Sequence, residues 1–148
     1  MSTYEDDLRQ ALTGELAAGA IRELADSGVV FGEISKRFPV NGSKIDWTRV
    51  AGAIEQCESD PLLQHDQFVR FFDSVRSSFS LDGPAIYVGD GATSFGLFGS
   101  LESFRKVLPA ILDIPQHHYF VGPGYSWCLS LTMEGDMAFG RVGPILLQ

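Results

Sequence analysis

The sequence predicts an α+β fold in which N-terminal helices are followed by a mainly antiparallel sheet with one inserted helix. Before residue 80, apolar residues recur at the spacing of helices. After the turn at Asp82-Gly83-Pro84, short runs of branched and aromatic residues alternate with glycine-containing turns, which is typical of strands. The length of 148 residues fits a single domain, residues 1–148, with a helical part at about 4–80 and a sheet part at about 83–143.

The first segment, Glu5 to Ser27, has the pattern of an amphipathic helix. Gly14 and Gly19 each weaken a helix by about 1 kcal/mol relative to alanine, so one helix with a weak middle and two short helices both fit. Gly28 is expected to end this helical stretch in a left-handed conformation. The apolar positions that carry the pattern are Leu8, Leu12, Leu16, Ile21 and Leu24.

The pattern from Val29 to Phe38 is ambiguous, and Val29-Val30-Phe31 is compatible with a short strand. Pro39 ends any regular element at Phe38, since the residue before proline avoids the helical region. Asp46 is a candidate N-cap for a helix extending to Glu58. A further helix is predicted from Gln64 to Phe79, with a stripe of phenylalanines that indicates core packing.

The C-terminal part begins with predicted strands at Ala85–Val88 and Thr93–Phe98. Ser100 is the expected N-cap of a helix from Leu101 to Leu112, whose last turn contains Pro109. Three strands then follow as a meander; their predicted bounds are Tyr119–Val121, Trp127–Met133 and Met137–Val142.

The formal charge is −8, and the excess of acidic residues is spread along the chain without any basic patch. Direct binding of nucleic acid or of an anionic membrane is therefore not expected. An acidic surface suits a basic partner, and it also keeps a protein soluble. The acidic start of the chain, the lack of a long apolar run and the two isolated cysteines, Cys57 and Cys128, favour a cytoplasmic protein with free thiols.

No catalytic motif is present, so we expect neither an enzyme nor a bound cofactor or metal. The sharpest enzymatic alternative is a nucleophilic pair of Cys128 with His117 or His118, since such pairs form in space and not by sequence spacing. Adjacent strand residues point to opposite faces, so the two histidines cannot ligate one metal from a regular strand.

The remaining candidate is a protein-binding surface on the C-terminal sheet. Tyr119, Tyr125 and Trp127 are amphipathic aromatic residues of the kind that is enriched at interface hot spots. We expect Trp127 to be mostly buried or to lie in a patch continuous with Tyr119, and the acidic residues of the C-terminal half to cluster on one side. The carboxylates expected to surround the aromatic residues are Asp82, Asp90, Asp113, Glu134 and Asp136.

In this small acidic chain, the run from Ile114 to Tyr119, the pair Trp127-Cys128 and the run from Gly135 to Gly140 resemble C-terminal segments of immunity proteins of bacterial toxin systems, including contact-dependent growth inhibition. The resemblance covers the last third of the chain. It implies a stoichiometric inhibitor that binds a cognate toxin domain, often a basic nuclease, and blocks its active site without catalytic residues of its own. A non-catalytic regulatory adaptor is the other binding protein compatible with the same surface.

Overall fold

A computed structural model describes residues 3–42 and 44–142. Five α-helices are present among these residues: α1 (Thr3–Ala11), α2 (Thr13–Ala18), α3 (Ser27–Arg37), α4 (Pro61–Ser78) and α5 (Leu101–Leu112). The strands are β1 (Ile21–Leu24), β2 (Val40–Asn41), β3 (Lys44–Ile45), β4 (Ile54–Cys57), β5 (Pro84–Gly89), β6 (Gly96–Ser100), β7 (His118–Val121), β8 (Trp127–Leu131) and β9 (Asp136–Arg141). Short 3₁₀ helices lie at Trp47–Arg49 and Pro123–Tyr125.

Seven of these strands form one sheet in the order β1-β6-β5-β7-β8-β9-β4, and every pairing in it is antiparallel. The predicted α+β class is confirmed. The meander of β7, β8 and β9 is also confirmed, and it forms the sheet together with β5 and β6 and the edge strands β1 and β4. β2 and β3 pair separately as a short hairpin.

One face of the sheet, called the packed face here, is covered by α1, α4 and α5 and holds the larger apolar cluster. Phe120 on β7 lies at its centre, with its ring centroid 5.7 Å from that of Phe72, 5.5 Å from Phe104 and 5.0 Å from Tyr87. The aromatic stripe of α4 is therefore core, as the sequence predicts.

The opposite face, called the groove face, carries a smaller apolar cluster. Val30 and Ile34 of α3 belong to this cluster, together with Val88 of β5 and Tyr119 of β7. The β2–β3 hairpin and the 3₁₀ turn at Trp47–Arg49 lie over another part of this face.

The helices predicted at Gln64–Phe79 and Leu101–Leu112 are confirmed as α4 and α5, and each has a side-chain cap at its start. Ser100 Oγ accepts a hydrogen bond of 3.0 Å from the Ser103 amide, and the helix runs through Pro109 to Leu112 as predicted. α4 begins at Pro61, three residues before the predicted start, and the Asp60 carboxylate accepts from the Leu62 amide at 2.9 Å.

The single-helix interpretation of Glu5 to Ser27 is wrong, and the alternative of two short helices holds only up to Gly19. Gly19, with φ of 75°, ends α2, and Ile21 begins a strand whose backbone pairs with β6. Gly28 does not end a helix. It lies in the first turn of α3, where its amide donates to the Asp26 carboxylate at 2.8 Å. The ambiguous Val29-Val30-Phe31 segment is therefore helical.

The helix predicted from Asp46 to Glu58 is also wrong. Asp46 caps only the three-residue 3₁₀ turn, and Ile54–Cys57 is the edge strand β4, paired with β9. The backbone hydrogen bonds of Ile54–Cys57 are made with β9, a strand far along the chain. The local spacing of apolar residues does not reveal such a distant partner. Because β1 and β4 belong to the sheet, the expected division into a helical part before residue 80 and a sheet part after it does not hold. The strand predicted at Thr93–Phe98 is also shifted: the observed strand, β6, spans Gly96–Ser100.

Candidate partner-binding site

Strand register brings four separate loops to one end of the sheet. Gly89 pairs with His118, His118 with Leu131, and Cys57 with Asp136. The loops at this end, β5–β6, α5–β7, β8–β9 and β4–α4, are therefore neighbours. The β4–α4 and β8–β9 loops also touch directly, since the Glu58 amide donates to the Gly135 carbonyl at 3.0 Å. This region is called the acidic end, and its carboxylates are Glu58, Asp60, Asp90, Asp113, Glu134 and Asp136.

Four of the five acidic residues predicted to surround a binding surface lie at the acidic end: Asp90, Asp113, Glu134 and Asp136. Asp82 does not, because it precedes Pro84, which pairs with Ser100 at the opposite end of the sheet. Glu102, in the first turn of α5, lies at that opposite end too. The expected clustering of acidic residues in the C-terminal half therefore holds for most of them but not for all.

Tyr119, Tyr125 and Trp127, the aromatic residues expected at the binding surface, do not form one continuous patch. Tyr119 and Trp127 are 2% and 6% exposed, so the prediction that Trp127 is mostly buried is confirmed. The two side chains belong to different faces of the sheet: Trp127 lies near Phe139 on the packed face, and Tyr119 meets Phe31 of α3 edge-on at 5.4 Å. Tyr125 is half-buried in the β7–β8 turn, away from the acidic end. Residue alternation along β7 and β8 explains the separation.

The geometry does not form the Cys128–histidine pair that catalysis would need. Cys128 is buried on the groove face opposite Val121, whereas His118 is opposite Leu131, three residues along the strand and about 10 Å away. Burial raises the pKa of the Cys128 thiol well above its ordinary value. His117 instead accepts a hydrogen bond of 2.8 Å from the Met133 amide through Nδ1.

A buried polar network that sequence reasoning missed fixes the loop that carries Asp90. The Gln116 side-chain oxygen accepts hydrogen bonds from the amides of Gly91, Ala92 and Thr93 at 3.2, 2.8 and 3.2 Å. Its Nε2 donates to the Tyr87 hydroxyl at 3.0 Å. A Cβ at Gly89 would lie 1.9 Å from the side-chain amide of Gln116, so only glycine leaves room for that amide. The glycine-rich sequence around Gly89 was therefore the sequence feature that could have indicated this network.

The same network continues to His118. Its Nδ1 lies 2.6 Å from the Tyr87 hydroxyl, and this hydroxyl is the donor in the tautomer that carries the imidazole proton on Nε2. Burial lowers the pKa of His118 to about 3, and the charges of His65 and His117 act in the same direction. His118 is therefore neutral at physiological pH.

Charged and apolar side chains are mixed at the acidic end. Met133 in the β8–β9 turn is 54% exposed, and Leu62 in the first turn of α4 is 88% exposed. Lys44 of the hairpin reaches the Glu134 carboxylate at 2.5 Å. This lysine holds the pKa of the Glu134 carboxyl below its ordinary value.

Beside the acidic end, a groove of about 570 Å³ runs over the groove face. Its walls come from the hairpin, the 3₁₀ turn and β4, and its floor comes from β8 and β9. A second cavity of about 370 Å³ lies between α3 and the hairpin and shares Ile45 and Tyr119 with the first.

Comparison with known protein families and with curated protein sequences finds no match to this chain. Within residues 3–42 and 44–142, no helix has the length and apolarity required to cross a bilayer. The same residues contain no cluster of three or more histidine, cysteine or acidic side chains arranged to hold a metal ion.

Proposed function

We propose that this protein is an immunity protein that binds a basic toxin domain, most simply a nuclease, and neutralises it by stoichiometric inhibition in the cytoplasm. The observation that supports the proposal is the acidic end, where carboxylates from four separate loops surround exposed apolar side chains. A nuclease presents a basic cleft to its phosphate substrate, and an acidic protein surface can occupy that cleft.

The composition of the acidic end fits an interface in which different groups have different roles. Leu62, Leu63 and Met133 supply apolar area that is favourable to bury against a partner. The surrounding carboxylates accelerate the encounter with a basic partner and disfavour acidic ones. The Gln116 network holds the Asp90 loop in place before binding, which reduces the entropy lost on association.

A non-catalytic adaptor that binds some other basic protein through the same surface is the second candidate. The partner's activity separates the two candidates, since an immunity protein abolishes the toxicity of its partner and an adaptor has no such effect. The enzymatic alternative with Cys128 is weaker because the register of β7 and β8 keeps this thiol away from His118.

The experiment starts with tagged protein purified from the cells that produce it, washed first at low and then at high salt. The proposal expects a basic partner retained in a one-to-one ratio. That partner, expressed alone, should stop cell growth, and coexpression of this protein should restore growth. A stoichiometric partner without toxicity would favour the adaptor, and retention of no partner would contradict both candidates.

Matched charge reversals then test the location of the site. Asp113→Lys lies at the acidic end, and Glu102→Lys lies at the opposite end of the sheet; both side chains are exposed. We expect Asp113→Lys to weaken partner binding by about tenfold and to reduce its salt dependence, with little change for Glu102→Lys. Equal effects of the two variants would show that only net charge matters and would contradict the proposed site.

A further inference from the structure

The floor of the groove is a row of small side chains between two larger ones. Register aligns Glu55 of β4 with Ala138, Ala138 with Ser130, and Ser130 with Tyr119, so all four lie on the groove face. The groove exists because Ala138 and Ser130 do not fill the space between Tyr119 and the edge strand. Trp47 closes one end: it packs over Gly140, where a Cβ would lie 2.8 Å from the indole ring.

Ser130 is polar, 1% exposed and on the floor of the groove. No hydrogen bond joins its hydroxyl to another described residue, and this oxygen is not among the fully enclosed atoms that lack a partner, so it is open to the groove. A hydroxyl that reaches no protein partner is normally satisfied by water or by a bound group. Because strand alternation directs Ser130 into the groove, a molecule bound there can take the place of water as its hydrogen-bond partner.

Carboxylates dominate the charge of the groove. Asp46, Glu55 and Asp136 line it, and the lysine that also lines it, Lys44, is already paired with Glu134. Asp46 uses one oxygen to cap the 3₁₀ turn, whereas Glu55 forms no hydrogen bond or ion pair with any described residue. The groove therefore favours a cation and repels phosphate or carboxylate groups.

We propose that this groove receives an arginine side chain of the basic partner, so that the groove and the adjoining acidic end form one binding surface. This inference rests on the proposed function, because it assumes a basic protein partner. The guanidinium group has five donors in a planar arrangement, which can serve the Ser130 hydroxyl and a neighbouring carboxylate together. The indole of Trp47 adds an aromatic wall of the kind on which guanidinium groups stack.

The groove itself is tested with a small probe, Nα-acetyl-arginine-N-methylamide, added to the isotopically labelled full chain and followed by NMR. We expect saturable shifts of the Trp47 indole N–H and of the Ser130 and Glu55 amides. The uncharged norleucine analogue should cause none of these shifts. No saturable shift, or equal shifts with norleucine, would overturn the proposal.

Two variants that remove single groups sharpen this test. Glu55→Gln removes an exposed carboxylate from an edge strand, and Ser130→Ala removes only the hydroxyl, so both should fold. Each is expected to weaken probe binding by about tenfold, since a hydrogen bond to a charged group is lost. Glu102→Gln at the opposite end is the matched control and should bind the probe as the unmodified protein does. Unchanged binding by both groove variants would contradict the assignment.

The same variants distinguish this inference from the proposed function. If the unmodified protein captures its toxin and both groove variants capture it equally well, the arginine site is wrong and the immunity function stands. If the unmodified protein captures no basic partner, the proposed function fails, and the arginine site fails with it. Capture that is weakened in Glu55→Gln and Ser130→Ala but not in Glu102→Gln supports both.

Discussion

The two faces of the sheet are built from the same strands but differ in what covers them. The packed face is closed by three helices and filled with phenylalanine, whereas the groove face is covered by α3 and a small hairpin that leave two cavities open. Alternation along each strand separates these roles residue by residue, as in β7, where Phe120 faces the packed side and Tyr119 the groove side. One face thus provides the stability that lets the other keep an incompletely filled surface.

The largest expected effect is on the packed face. Phe120→Ala removes a fully buried ring at the centre of the aromatic cluster and should lower the free energy of unfolding by about 3–5 kcal/mol. On the groove face, Ser130→Ala should change the free energy of unfolding by less than about 1 kcal/mol, because the Ser130 hydroxyl makes no hydrogen bond with another described residue. Urea unfolding of both variants measures the difference. Similar losses would show that the groove floor is as tightly constrained as the core.

A smaller loss is expected from the network at the edge of the packed face. Gln116→Leu keeps the approximate size of the side chain but leaves three backbone amides and the Tyr87 hydroxyl without their partner. The free energy of unfolding should fall by about 2–4 kcal/mol. Gln10→Leu on the exposed side of α1 is the control, with a change within about 0.5 kcal/mol. A Gln116 variant as stable as this control would mean that the network contributes nothing.

Acid should destabilise the packed face through His118. Its folded-state pKa of about 3 is below the ordinary value, so between these values the unfolded chain binds a proton that the folded protein does not. The free energy of unfolding contributed by this group therefore falls as the pH is lowered below about 6.5, by at most about 1.4 kcal/mol per pH unit. His118→Gln should flatten the pH dependence measured by urea unfolding between about pH 7 and 5. A pH dependence that is equally steep in His118→Gln and in the unmodified protein would refute the role of His118.

The smallest effect is expected at the rim of the groove. Lys44 and Glu134 are ion-paired, but both side chains are about half exposed, at 42% and 56%. Lys44→Met should therefore lower the free energy of unfolding by less than about 1 kcal/mol at low salt and by less at high salt. Thermal unfolding at two salt concentrations measures this. A loss as large as that of Phe120→Ala would show that the hairpin contributes to the fold as much as the core does.

Local sequence signals predicted those elements whose start and spacing depend on neighbouring residues. Ser100 and the apolar spacing after it determined α5, and the phenylalanine stripe determined the body of α4. The turn at Gly135, with φ of 92°, separated β8 from β9 in the sequence as in the structure. The acidic charge of the chain was likewise evident from composition, because it depends on no contact.

Tertiary structure alone decided the edge strands, the groove and the position of each charge. Ile21–Leu24 and Ile54–Cys57 have helical spacing in the sequence, but they become strands because β6 and β9 offer them backbone partners far along the chain. The row from Glu55 to Tyr119 joins residues 64 positions apart, so no local pattern could show that small side chains meet there. The sequence by itself determined the α+β class, the cap and length of α5, and the net charge. Only the packed structure determined which carboxylates share an end and which hydroxyl faces the groove, because both depend on strand register, a long-range property.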